Sequence, residues 1–169
     1  MHLTVKTLLN LKESHARFVY RDVRLCQTAN GQKIEVNVEH RKDSQGTCSG
    51  CDKRCAGNDR LPRREFTHVR LWGIAVVFLY GLRRLNCATC GAVAEAVPWS
   101  TGKSPLTTSY AWFLSEWAKL LSMQEVARQF KSSWHHVFCA VAMAVAWGRE
   151  RMNLSSITAI GVDEIHWSK

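Results

Sequence analysis

The sequence predicts an α+β chain in which a small β domain precedes a three-helix bundle, and three observations carry that expectation. Apolar and polar residues alternate from Arg17 to His40 and recur in two further strand-like runs up to Asn86. Two Cys-x2-Cys pairs, Cys48/Cys51 and Cys87/Cys90, separated by 35 residues, interrupt that β pattern. After Pro105 the apolar period changes from two to about 3.6, the period of a helix. The expected divisions are therefore a β hairpin and cysteine-knuckle domain over residues 1–97, a linker over 98–107, a helical domain over 108–153 and a final segment over 154–169.

The first element is a hairpin around Asn30-Gly31, the dipeptide that best tolerates the two positive φ values of a type I′ turn. Within it Ile34, Val36 and Val38 point to one face while Glu35, Asn37 and Glu39 point to the other, so the sheet buries one side. A polar loop over His40 to Thr47 leads to the first knuckle, and Arg60 to Arg64 (RLPRR) breaks the chain before strands over Glu65 to Trp72 and Ile74 to Asn86. The second of these delivers Cys87. Two residues is the spacing at which a tight turn brings two thiolates to one tetrahedral cation, about 2.3 Å from it, so the four sulfurs spell a structural zinc site in a zinc ribbon. A sheet this small needs the metal for much of its folding free energy. Cys55, close beyond Cys51, is the rival ligand.

Pro98 to Pro105 (PWSTGKSP) carries turn formers and reads as the linker. Beyond it Tyr110, Leu114, Trp117 and Leu121 mark a first amphipathic helix. Ser122-Met-Gln-Glu125 is a capping box opening a short second helix with Met123, Val126, Ala127 and Phe130 inward. Lys131-Ser132-Ser133 makes a tight turn and a further cap, and Trp134, Val137, Phe138, Val141, Val145 and Gly148 form the stripe of a longer third helix. Short capped helix, three-residue turn and long helix are the parts of a helix-turn-helix, although they also occur in ordinary bundles. In the DNA-binding reading Lys131, Ser132, Ser133, His135 and His136 stand at the end of the third helix that enters the major groove.

The chain has 169 residues, enough for one good core or two small ones, and a formal net charge of +9. Residues 1–105 hold 17 Lys+Arg against 9 Asp+Glu, whereas residues 106–169 hold 6 against 5, so the excess sits on the N-terminal half. Such a surface concentrates polyanions, and double-stranded DNA is the expected partner; plain solubility is the bland alternative. Seven cysteines, an odd number, and no charged then apolar leader over Met1 to Asn10 speak for reduced thiols in the cytoplasm rather than a disulfide framework. The longest apolar run, Leu71 to Leu82, has 12 residues, short of the roughly 18 that suggest a membrane span.

Taken together, Cys48-x2-Cys51, the run Arg83-Arg84-Leu85-Asn86-Cys87-x2-Cys90, Glu95 with Pro98 shortly after, and the segment SMQEVARQF from Ser122 to Phe130 resemble the N-terminal part of bacterial insertion-sequence transposases of the ISL-three family. The resemblance implies a zinc-binding domain, a helix-turn-helix and then a ribonuclease-H-like DDE domain. It extends to Ile160-Gly161-Val162-Asp163-Glu164, similar to the first strand of that catalytic domain, and so implies Asp163 as the first of three metal-binding carboxylates. Asp52 stands where the family usually has a small turn residue. Lys169 comes six residues after Asp163, leaving no second or third carboxylate to complete a two-magnesium site. The expected function is hence DNA binding at transposon terminal inverted repeats without cutting, with Arg63, Arg64, Arg83 and Arg84 on phosphates. The apolar run Ile157 to Trp167, if unpaired, is expected to be mobile, to dock on the helical domain or to pair between two chains as a homodimer. The alternative is a zinc-ribbon and helical module for protein interaction or transcription regulation; a catalytic zinc ranks last, because four thiolates close the site.

Overall fold

The structure, a computed structural model, describes residues 4–29, 31–153, 155 and 161; Asn30, Asp163 and the strand expected over 157–167 lie outside or almost wholly outside them. The chain opens on a helix that the periodicity does not announce, α1 (Val5–Lys12), whose N-cap Thr4 accepts a hydrogen bond from the Thr7 amide. Leu9 is its buried residue, and it lies in the core of the first sheet.

Strands β1 (Phe18–Thr28) and β2 (Gly31–His40) pair antiparallel, as the alternation requires, with Ile34, Val36 and Val38 buried. Thr28 pairs with Gly31, so Gly31 belongs to β2 rather than to the turn that the Asn-Gly dipeptide suggests. Three short strands follow, β3 (Gly46–Cys48), β4 (Arg54–Cys55) and β5 (Gly57–Arg60), then β6 (Arg64–Leu71) and β7 (Ile74–Tyr80), and finally β8 (Arg83–Cys87) and β9 (Gly91–Ala96). They form two sheets, in the orders β1-β2-β7-β6 and β4-β3-β9-β8-β5. The pairing of β2 with β7 is parallel.

The strand expected from Ile74 to Asn86 is in fact two, one in each sheet. The break falls at Gly81-Leu82, where Leu82 O accepts from the Leu61 amide at 2.8 Å and a Cβ on Gly81 would stand 3.0 Å from Leu61 O. That close backbone approach needs glycine and turns the chain into the second sheet.

The expected linker is packed. Trp99, 1% exposed, is the hub of the first sheet's core, with Phe18, Tyr80 and Phe66 approaching edge-on at centroid distances of 4.7, 5.3 and 6.0 Å. Around it the Thr67 amide donates to Pro105 O, the Thr107 amide to Thr67 O and the Thr108 amide to Trp99 O. Turn formers report the lack of regular structure over 98–107 correctly. The apolar area of one tryptophan decides that the segment is fastened down.

Three more helices follow: α2 (Thr108–Trp117), α3 (Met123–Gln129) and α4 (Trp134–Arg151). Both halves of the capping box form, with Ser122 Oγ accepting from the Glu125 amide at 3.3 Å and the Ser122 amide donating to Glu125 Oε2 at 3.0 Å. Ser133 caps α4 through the His136 amide. The helical core holds Leu106, Tyr110, Ala111, Leu114, Val126, Ala127, Val137 and Ala140, with Val69 of β6 packed against it. Helix α4 is turned relative to the expected stripe: Val137 and Ala140 face inward, while Trp134, Phe138 and Val145 are exposed. Helix α2 ends at Trp117, which is 39% exposed, so Leu121 lies beyond it rather than on its inner face. Among the described residues no helix is long and apolar enough to cross a membrane.

Candidate metal centre and basic surface

Cys48 lies at the end of β3, Cys51 in the turn beyond it, Cys87 at the end of β8 and Cys90 in the turn before β9. The pairing of β3 with β9 and of β9 with β8 brings these two turns to one end of the second sheet. Their four sulfurs lie within 4.8 Å of one another, and Cys51 Sγ is 3.5 Å from Cys87 Sγ. A tetrahedral ion with metal–sulfur bonds of about 2.3 Å needs sulfurs about 3.8 Å apart, whereas a disulfide needs about 2.05 Å. All seven cysteines are free thiols, so the donor set fits a metal ion held by four thiolates.

Local backbone supports the same fit. The Gly50 amide donates to Cys48 Sγ at 3.4 Å, and a Cβ at Gly50 would stand 3.0 Å from Cys90 Sγ, so glycine lets the turn close over the sulfurs without pushing Cys90 aside. Asp52, the departure noted in the knuckle, takes φ +59, a conformation that aspartate tolerates better than most residues. The amides of Cys90 and Thr89 lower the Cys87 thiol to about 6, while the sulfurs of Cys51 and Cys48 push Cys90 up to about 12, as four close thiols sharing one site do until a cation offsets their charge. Cys55 Sγ rests instead at 3.7 Å from Lys53 O and stands outside the four-sulfur group.

One expected phosphate contact is corrected. Arg83 is 6% exposed, and its guanidinium is held on two sides: Nε donates to Glu95 Oε2 at 2.8 Å with Nη2 in ion-pair contact with the same oxygen at 2.8 Å, and Nη1 donates to Ser44 O at 2.5 Å. Glu95, buried as well, accepts from the Arg83 amide at 2.7 Å and from Tyr80 Oη at 2.5 Å through Oε1. Arg83 therefore braces β8 against β9 and the Ser44 loop and does not face solvent, while Glu95 links the second sheet to Tyr80 of the first. In sequence it is one of two adjacent arginines; strand alternation sends one inward and leaves Arg84 outward, 3.3 Å from Asp59. Glu95 enters the sequence reading only as part of a family pattern, although a lone acid in the apolar strand Gly91–Ala96 is itself a signal of a buried partner.

The other basic candidates are spread more widely. Arg63 is exposed and donates to Asn37 Oδ1 at 3.0 Å. Arg64 is half-buried, donating to the carbonyls of Lys103 and Ser104 with its guanidinium 4.6 Å from the Phe66 ring centroid. Lys131, Ser133 and His135 are exposed in the turn and first turn of α4, and Ser132 and His136 are half-buried. Burial lowers the His136 pKa, with neighbouring His135 adding to the effect, which favours its neutral ring. Asp163, the expected carboxylate, lies outside the described residues.

Two curated relatives are similar to this chain, each a "Transposase for insertion sequence element IS1557", from Mycobacterium tuberculosis strains CDC 1551 / Oshkosh and ATCC 25618 / H37Rv. Each is 25% identical over 142 residues, covering 83% of this chain and 32% of the relative. The chain thus spans about a third of the length of these relatives. The likeness supports the resemblance to insertion-sequence transposases. No family model matches the chain, and no solved structure matches it.

Proposed function

We propose that this chain is the DNA-binding N-terminal part of a DDE transposase, in which a zinc ribbon and a helix-turn-helix recognise transposon terminal inverted repeats in the cytoplasm. The observation that carries the reading is the likeness to the transposases over 142 residues. Two geometric features agree with it. Four thiol sulfurs within 4.8 Å of one another suit structural zinc, a d¹⁰ ion that is commonly held by four thiolates. Helix α3 packs on α4 behind a short turn, leaving Lys131 and Ser133 of that turn and His135 of the first turn of α4 exposed for a major groove.

In this reading Arg63, Arg84 and Lys131 neutralise phosphates, Arg64 braces the segment at 103–104, and Ser132, Ser133, His135 and His136 sit nearest the base edges. Asp163 would be the first magnesium ligand of a catalytic domain. Strand cleavage needs two further carboxylates and belongs to the complete site.

Fluorescence anisotropy with duplex DNA across a salt titration tests the proposal. Each lost phosphate contact, as in Arg84→Ala or Lys131→Ala, is expected to flatten the slope of log K against log salt by about 0.9. Absence of duplex binding at low salt would refute it. A second reading is favoured by one observation: Trp134 and Phe138 stack at 5.3 Å on the exposed side of α4, in line with exposed Val145, as a protein-binding stripe would be. Such a contact would be nearly insensitive to salt.

A further inference from the structure

We propose that the tip of the β6–β7 hairpin is a second nucleic-acid contact, in which Trp72 stacks on an unpaired base while Arg70 and Lys131 hold phosphates of the same strand. Leu71 pairs with Ile74, leaving Trp72-Gly73 as a two-residue turn with φ values of +50 and +80. A turn of this kind favours Asn or Asp at its first position, and a bulky residue there is strained. Packing does not offset that strain, because the Trp72 side chain is 84% exposed. Neither turn chemistry nor core burial accounts for tryptophan at this place; a large aromatic face held out to solvent does.

The surroundings say what that face meets. Arg70, two residues earlier, folds its guanidinium onto Gly73 O, with Nε at 3.0 Å and Nη2 at 2.6 Å. Between this end of the sheet and the α3–α4 turn runs a cleft of about 620 Å³ lined by Lys33, Glu65, Arg70 and Lys131. Lys33 is compensated by Glu35 and Glu65, each at 2.8 Å, so Arg70 and Lys131 supply the excess positive charge. Both sides are fixed to one frame, since Val69 packs into the helical core and Thr67 exchanges backbone hydrogen bonds with Pro105 and Thr107.

A partner for this surface must be anionic and must offer a flat apolar face at the edge of the charge. A nucleic-acid strand has both, and its base faces are free only where it is unpaired. Paired bases hide their faces in the stack, so the indole discriminates between paired and unpaired DNA whereas the two cations do not. The inference rests on the nucleic-acid reading above.

Trp72→Asn separates the terms, because asparagine suits the positive φ and removes the indole. Anisotropy is measured for the full chain with a paired duplex, the same duplex carrying a three-nucleotide unpaired stretch, and a single strand; 2-aminopurine in the unpaired stretch reports stacking. Trp72→Asn is expected to raise the melting temperature, to leave paired duplex affinity within about twofold, to weaken binding of the unpaired DNAs by about 5- to 150-fold, and to abolish the 2-aminopurine quenching that the parent produces. Trp72→Phe should retain part of the quenching. Equal affinity of parent and Trp72→Asn for all three DNAs, or equal quenching, overturns the inference while leaving duplex binding intact. Parent protein that binds none of the three overturns the nucleic-acid reading itself. Binding of the indole to an apolar protein partner, unchanged by DNA, also overturns it.

Discussion

Replacing Glu95 by alanine removes the one carboxylate that ties the two sheets together. Its side chain is fully buried and accepts three hydrogen bonds, from Tyr80 Oη, the Arg83 amide and Arg83 Nε, with Arg83 Nη2 in ion-pair contact at 2.8 Å. In the variant a guanidinium that is almost wholly out of water keeps only the Ser44 carbonyl. Breaking a buried ion pair from one side costs about 3–5 kcal/mol, because the surviving charge is uncompensated. For a chain of this size that corresponds to a fall in melting temperature of about 6–20 °C. Urea unfolding of the metal-loaded protein, followed by circular dichroism, measures it. Arg83→Met with Glu95→Leu should recover part of the loss, since no buried charge then remains, but only part, because the Tyr80 hydroxyl and the Arg83 amide also lose their acceptor. An alanine variant within about 1 kcal/mol of the parent would refute the reasoning, for it would mean that the pair is solvated. The same result would return Arg83 to the phosphate-binding candidates.

Elemental analysis should find one zinc per chain, retained in Cys55→Ser and lost in Cys87→Ser; chelation should unfold the β3–β4–β5 and β8–β9 sheet, seen as loss of its amide protection in hydrogen exchange. Retention by Cys87→Ser with loss by Cys55→Ser would reverse the ligand assignment. Ser122→Ala, which removes one arm of the capping box, should lower stability by about 0.5–2 kcal/mol in a urea titration, and an unchanged midpoint would contradict the cap. His68 is stacked on Phe78 and bonded to Thr107 Oγ1, and burial lowers its pKa below 6.5 against a smaller opposing effect of Glu13. Its neutral ring is favoured in the fold, so this contribution is complete above about pH 6.5 and is lost as pH falls towards the lowered value; unfolding midpoints between about pH 7.5 and 5.5 should drop less in His68→Gln than in the parent.

The cluster of four cysteines was legible in the sequence because its determinants are local: two residues between cysteines set the geometry of each knuckle wherever the strands go. The same holds for the first hairpin and the capping box, whose hydrogen bonds span three residues or a single pairing. Tertiary structure decided the rest. Alternation marks Arg83 and Arg84 as opposite in direction but cannot say which one meets a carboxylate twelve residues on; the pairing register of β8 with β9 put Glu95 beside Arg83, and the packing of the first sheet brought Tyr80 onto the same carboxylate. Helical periodicity likewise offers two overlapping apolar stripes on α4, one through Trp134 and Phe138, the other through Val137 and Ala140. The close approach of α2 and α3 admits the smaller side chains, so the larger ones were left outside. Trp72 and Arg70 belong to this second class too. Arg70 and Lys131, some sixty residues apart in sequence, line one cleft only because β6 docks on the helices.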